Sequence, residues 1–160
     1  FSSQGKAVRF SSTDARAMGR VSKGVRGMRL PEAHKVISMV IPEEDGFLLT
    51  VCENGFGKRT VVTEFPTKGR GGKGMIAIQA SDRNGPLVGA TQLFSGDEIM
   101  LISDQGTMVR TRGDEVSVVG RNTQGVRIIR LKENENLVSL ARIAEPQENE
   151  DSDSVETVDE

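Results

Sequence analysis

Short apolar runs separated by glycine turns dominate residues 1–144. In the stretch from 98 to 143 they read as four strands: "EIMLIS" 98–103, "TMVRTR" 107–112, "GVRIIRL" 125–131 and "LVSLARI" 137–143. The stretch from 47 to 94 repeats the order with "FLLTVC", "KRTVVTEF", "MIAIQA" and "LVGATQLF". The first and second strands of each set are joined by "ENG" and "DQG", in which glycine supplies a positive φ. About a dozen polar and glycine-rich residues then lead to the third strand. Alternation in that strand predicts one core-facing set, Met28, Ile78 and Ile129 with Leu30, Ala80 and Leu131. Arg29, Gln79 and Arg130 fall on the opposite face.

The same pattern exposes an internal repeat. "GRVSKG" 19–24, "GRGGKG" 69–74 and "GRNTQG" 120–125 share a G-R-x-x-[K/Q]-G frame, with starts 50 and 51 residues apart. Gly5, Gly55 and Gly106 each stand 14 residues before a frame, and Arg9, Arg59 and Arg110 each follow those glycines by four. Four strands repeating at this period predict an all-β, propeller-like array. The units span 1–46, 47–97 and 98–144, and an acidic segment, 145–160, follows. Phe1 aligns with Val51 and Ile102, so the first strand of the first unit is truncated. Closed propellers have four to eight blades, so the expectation is the C-terminal part of a larger array.

Charge sharpens this picture. The net charge is −2, yet all 21 Lys and Arg lie before residue 145, and 145–160 carries eight acids and no base. Residues 1–144 therefore carry a net +6, a basic body suited to a polyanion. The terminal segment has two valines to bury, so composition predicts disorder there. It could serve as a solubiliser or as an internal brake competing for the basic surface. No run of about 18 apolar residues is present, and the single Cys52 excludes an internal disulfide, so a reduced cytoplasmic setting is expected.

Catalytic chemistry finds little support. Gly69, Gly71 and Gly74 formally satisfy G-x-G-x-x-G, but a strand follows where a dinucleotide site needs a helix N-terminus. Thr67 and Gly74 stand where a Walker loop requires Gly and Ser or Thr. His34 reads as a surface turn residue and Cys52 as core. No metal set or cofactor site is read in this chain. What remains is phosphate contact by glycine backbone and basic side chains. Arg20, Arg70 and Arg121, with Lys23 and Lys73, would recur around a rim at intervals suited to the phosphates of duplex DNA. Arg29 and Arg130 join this candidate surface. Arg9, Arg59 and Arg110 form either a second basic row or structural pairs within the blade. Six Phe and no Trp or Tyr argue against single-strand stacking and for duplex backbone contact.

These motifs, from "GKRTVVTEFPTK" to "RTRGDEVSVVGRNTQGV" and "IAEP", resemble the C-terminal domain family of the DNA gyrase A protein. The resemblance covers nearly the whole chain. It implies a β-pinwheel of about six blades, in which neighbours exchange a strand, wrapping duplex DNA around a basic rim. It also implies partners: the rest of the gyrase A protein as a dimer, and gyrase B using ATP and Mg2+, in an A2B2 enzyme that introduces negative supercoils. The related topoisomerase IV domain and a protein-interaction propeller are the alternatives. The family's Q-R-R-G-G-K-G box is matched at Arg70, Gly71, Gly72, Lys73 and Gly74 and departs at Lys68 and Gly69, which implies a degenerate copy. The family's cleavage uses a tyrosine, and this chain has none.

Overall fold

The computed structural model describes residues 1–145; the acidic segment from 146 onward lies outside the described residues. Among the described residues, nine strands form three antiparallel sheets. They are β1 Lys6–Ala7, β2 Phe47–Cys52, β3 Phe56–Val61, β4 Met75–Ile76, β5 Leu87–Leu93, β6 Glu98–Ser103, β7 Met108–Arg112, β8 Val126–Arg127 and β9 Leu137–Ile143. The sheet orders are β1-β4, β5-β2-β3-β8 and β7-β6-β9.

Two of the sheets are stitched across repeat units. β8 belongs to the third copy of the sequence repeat but pairs with β3 of the second, Phe56 opposite Arg127 and Gly57 opposite Val126. β4 of the second copy likewise pairs with β1 of the first, Lys6 opposite Ile76. The third strand thus leaves its own unit and completes the preceding one. In the first unit, Phe1 and Ser2 hold the place of the inner strand, through an Ile37 N–H bond to the Phe1 carbonyl (2.9 Å) and a bridge from Ser2 to Val36.

The third strands predicted over 75–80 and 125–131 are only two residues long, and the reason is local. The amides of Ala77 and Ile78 both donate to the Gly5 carbonyl (2.8 and 3.2 Å), and those of Ile128 and Ile129 both donate to Gly55 (2.9 and 3.3 Å). Two consecutive donors on one acceptor end the ladder as a bulge does. Ala77 and Ile78 are accordingly both buried, while Ala80, expected in the core, is exposed. Ile129 is buried as its alternation predicts.

The second strand predicted over 58–65 begins at Phe56 and stops at Val61, where a 3-10 turn, Val62–Glu64, takes over. Similar turns occupy Ser12–Asp14 and Gly113–Glu115, again one per repeat.

The middle unit is covered on both faces. Leu49 and Val51 of β2 pack with Ile99, Leu101, Val116, Ile129 and Leu137 of the third unit. Leu48 packs with Ala7 of the first unit and with Val62, Phe65 and Ala77, and Cys52 packs with Ile78 and Leu87. β7 and β9 each keep an exposed face. Each Å² of apolar area buried between units stabilises the array by roughly 25 cal/mol. Cys52 is wholly buried and burial pushes its thiol up to about 12, so it stays protonated and inert.

Gly55 meets two demands at once. Its φ is +85°, and a Cβ there would sit 2.6 Å from the carbonyl oxygen of Ile129. Gly106 has a similar φ of +82° but nothing within 4 Å. Gly55→Ala should therefore lose clearly more stability in urea unfolding than Gly106→Ala, whose cost is the backbone term alone, about 1–3 kcal/mol. Equal losses would mean that the exchanged strand yields freely at Gly55.

Candidate nucleic-acid interface

The G-R frame is a docking element before it is anything else. Residues 69–74 lie along the first unit, with Gly71 N–H donating to Gly27 O and Arg29 N–H to Gly72 O, both at 2.8 Å. Residues 120–125 lie along the second, where Gln79 N–H donates to Thr123 O at 3.0 Å. The closing glycine fits this role. Gly125 has φ +74°, and a Cβ would meet the Gly57 carbonyl oxygen at 2.5 Å; Gly74 meets Ala7 O in the same way at 2.8 Å. Backbone approach is used here for the neighbouring unit.

The frame arginines occupy matching places. Arg70 donates from Nη1 to Arg26 O (2.7 Å) and from Nε to Asp14 O (3.2 Å). Arg121 donates from Nη1 to Ile76 O (2.6 Å), and Ile76 is the repeat position of Arg26. Its amide also donates to Glu64 Oε2 (2.7 Å). Both side chains are partly exposed and keep further guanidinium N–H groups beyond these bonds. Arg20, Lys23, Lys68, Gly69, Gly72 and Lys73 are exposed, as are Arg29 and Arg130.

The other arginine register divides. Arg9 donates to Val62 O (3.4 Å) and Phe65 O (3.0 Å) and pairs with Glu44 (2.5 Å). Arg59 is nearly buried; it donates to Val116 O (2.8 Å) and Asp114 O (3.0 Å), pairs with Asp114 Oδ1 (2.8 Å), and lies 4.8 Å over the Phe47 ring. Each arginine thus holds the 3-10 turn of the following unit. The Gly96 amide and the Arg59 guanidinium hold the Asp114 carboxyl below its usual range. Of the two readings open for this row, these bonds are those of the structural one. Arg110 instead pairs with Glu98 on its own sheet and is exposed.

Lys58 was not apparent from the sequence. It is fully buried on β3, and its Nζ donates to Gly120 O (2.7 Å), Arg121 O (2.5 Å) and Thr123 Oγ1 (3.1 Å). Burial lowers this ammonium to about 8, so it remains mostly charged at neutral pH. Val8 and Val109 occupy its repeat position, so the exception is visible once the units are aligned. Lys58 fixes the loop that carries Arg121. His34 sits in a turn, with its amide on Pro31 O (3.3 Å). No group of His, Cys, Asp and Glu able to hold a metal occurs among the described residues, and no helix there is long and apolar enough to cross a membrane.

Tandem strand-exchanged β units, with a basic loop docked at each junction, define a propeller-like repeat module. A family model described as "DNA gyrase C-terminal domain, beta-propeller" matches residues 1–43, 46–92 and 97–144. The chain belongs to this family. It is 54% identical over 156 residues to the DNA gyrase A protein of Escherichia coli K12, covering 98% of this chain and 18% of that protein. It is 56% identical over 153 residues to the DNA gyrase A protein of Pseudomonas aeruginosa PAO1, covering 96% and 17%. The chain therefore spans about a fifth of the length of these curated relatives. A solved DNA gyrase A C-terminal domain superposes with a TM-score of 0.81 at 32% identity, over 89% of this chain and 49% of that one. A solved C-terminal domain of DNA topoisomerase IV gives 0.82 at 21% identity, over 89% and 45%, a likeness of fold alone.

Arg59 and Arg110 hold the same repeat position in different settings. Arg59→Ala should cost about 1–3 kcal/mol in thermal or urea unfolding, because buried acceptors lose their donor. Arg110→Ala should cost less than about 1 kcal/mol, as exposed pairs do. The reverse order would contradict the assignment of Arg59 to the unit junction.

Proposed function

We propose that this chain binds duplex DNA through its backbone and wraps it, with little sequence preference, as part of a DNA gyrase A protein. The observation that carries this reading is the recurrence of wholly or partly exposed cations on these loops. Arg70 with Lys73, and Arg121, project from loops fixed by repeat-equivalent hydrogen bonds, and Arg20 with Lys23 holds the same frame in the first unit. Cations at a constant step along successive modules suit a ligand with a constant charge spacing. Bending duplex DNA costs about 1–6 kcal/mol per 20–30 base pairs, and counterion release at each neutralised phosphate offsets it.

In this reading the protein works in the cytoplasm. Two copies of gyrase A join two of gyrase B, which bind ATP with Mg2+, and strand cleavage falls to a tyrosine outside this chain. The gyrase assignment is preferred to topoisomerase IV because the relatives at 54 and 56% identity are gyrase A proteins. A protein-interaction propeller would not call for basic residues in register.

Duplex affinity of the full-length protein should fall steeply with salt, with a log–log slope of about −0.9 per phosphate contacted. An affinity unchanged between about 50 and 200 mM salt, where 6–10 contacts should cost several orders of magnitude, would overturn the proposal. The eight acids of residues 145–160 act as a brake on the basic surface, so deleting that segment should tighten binding. Equal affinity with and without it would leave it a solubiliser.

A further inference from the structure

The two junctions between units gather cations with different residues. At the first junction, Lys6 of β1, Arg29 and Leu30 of the first unit and Lys73 of the docked loop line a cleft of about 340 Å³ together with Gln4 and Pro31. Three cations from two units converge there without an acid in the lining. At the second junction the corresponding positions are neutral: Phe56 replaces Lys6, Gln79 replaces Arg29 and Gln124 replaces Lys73. Charge returns by another route. The guanidinium carbons of Arg83 and Arg127 lie 4.2 and 4.6 Å from the centroid of the Phe56 ring.

This second arrangement is built rather than incidental. Arg83 donates from Nη2 to Gln124 O and Gly125 O (3.2 Å each) and from Nε to Asn84 Oδ1 (3.0 Å). Asn84 is completely buried and donates to Gln79 O (2.9 Å) and Gln124 O (2.7 Å). Neither Arg83 nor Arg127 belongs to an ion pair among the described residues, and both are exposed. The nearby Glu53 and Asp82 line a 480 Å³ cleft with His34 and with Gln4, which also borders the first cleft. The Phe56 ring holds both guanidinium groups, and the Gln124 and Gly125 carbonyls hold that of Arg83 as well. An anion at this junction finds guanidinium donors already held against the ring.

We propose that these junction clusters are seats for backbone phosphates of the bound duplex: Lys6, Arg29 and Lys73 at the first, Arg83 and Arg127 on Phe56 at the second. The inference rests on the duplex-binding reading and adds where, between units, the backbone is gripped. Each junction keeps a cationic cluster while the residues that supply it change, as a phosphate contact allows and a base contact would not.

The test compares three variants of the full-length protein, each lacking two positive charges: Lys6→Gln with Lys73→Gln, Arg83→Gln with Arg127→Gln, and Arg112→Gln with Lys132→Gln as a control away from the seats. Affinity for a duplex of about 40 base pairs is measured against KCl concentration, and thermal melting verifies folding. Each seat variant should lose about one to two units of log–log salt slope, corresponding to one or two phosphates, and roughly ten-fold or more in affinity at low salt. The control should lose little of either. Arg83→Lys with Arg127→Lys should keep most of the slope, which covers the case in which the Gln pair melts. If the wild-type protein shows steep salt dependence and both seat variants match the control, the seats are refuted and the duplex-binding reading survives. A wild-type protein without salt-dependent binding refutes both.

Discussion

One backbone interaction organises the molecule: a single glycine carbonyl receiving two consecutive amides from the next unit. Gly5 O accepts from Ala77 and Ile78, and Gly55 O from Ile128 and Ile129. The exchanged strand can be only two residues long because that double acceptance turns the chain away from the ladder. The same contact brings Ile78 and Ile129 into the core and sets the G-R loop against its neighbour. Gly5 and Gly55 cannot carry a Cβ here, since each nearly touches the facing carbonyl. Unit spacing is thereby set by backbone, which changes little from copy to copy, and side chains are left free to differ.

Arginines then sew the junction in both directions. Arg9 and Arg59 reach forward to hold the 3-10 turn of the next unit, while Arg70 and Arg121 reach back to repeat-equivalent carbonyls of the preceding unit, Arg26 O and Ile76 O. A guanidinium has five donors, so a residue that spends one or two on carbonyls can still present others to an anion. This is a sparing use of charge. The residues that build the junction also deliver a positive edge to it, and Lys58 adds a buried ammonium that pins the Arg121 loop through three acceptors.

The consequence for binding is pre-organisation. Long basic side chains normally lose rotamer freedom when they meet a ligand. Here several are already constrained by carbonyls or by an aromatic face, and their loops are fixed on a sheet rather than on a free turn. Such an edge suits a polymer of evenly placed phosphates better than a small ligand, which would need one enclosed site. A covered middle unit between two partly open ones also makes each junction a cooperative element, as in other repeat arrays.

What the linear chain determined was the repeat. The registers of Gly5, Gly55 and Gly106, of Arg9, Arg59 and Arg110, and of the three frames announced tandem β units. Periodicity survives in sequence because every copy solves the same backbone problem. Exchange of a strand was implied by the family resemblance; tertiary structure alone decided which strand is exchanged, why it stops after two residues, and which arginines are spent on the fold. Alternation in "MIAIQA" reads as six residues of strand, but the Gly5 carbonyl lies more than 70 positions away in the chain and cannot be seen locally. Distance along the chain also hid Lys58 and the Phe56 cluster, which draw partners from another unit. Spacing along the chain records what each unit needs for itself; what a unit needs from its neighbour exists only after the two have docked.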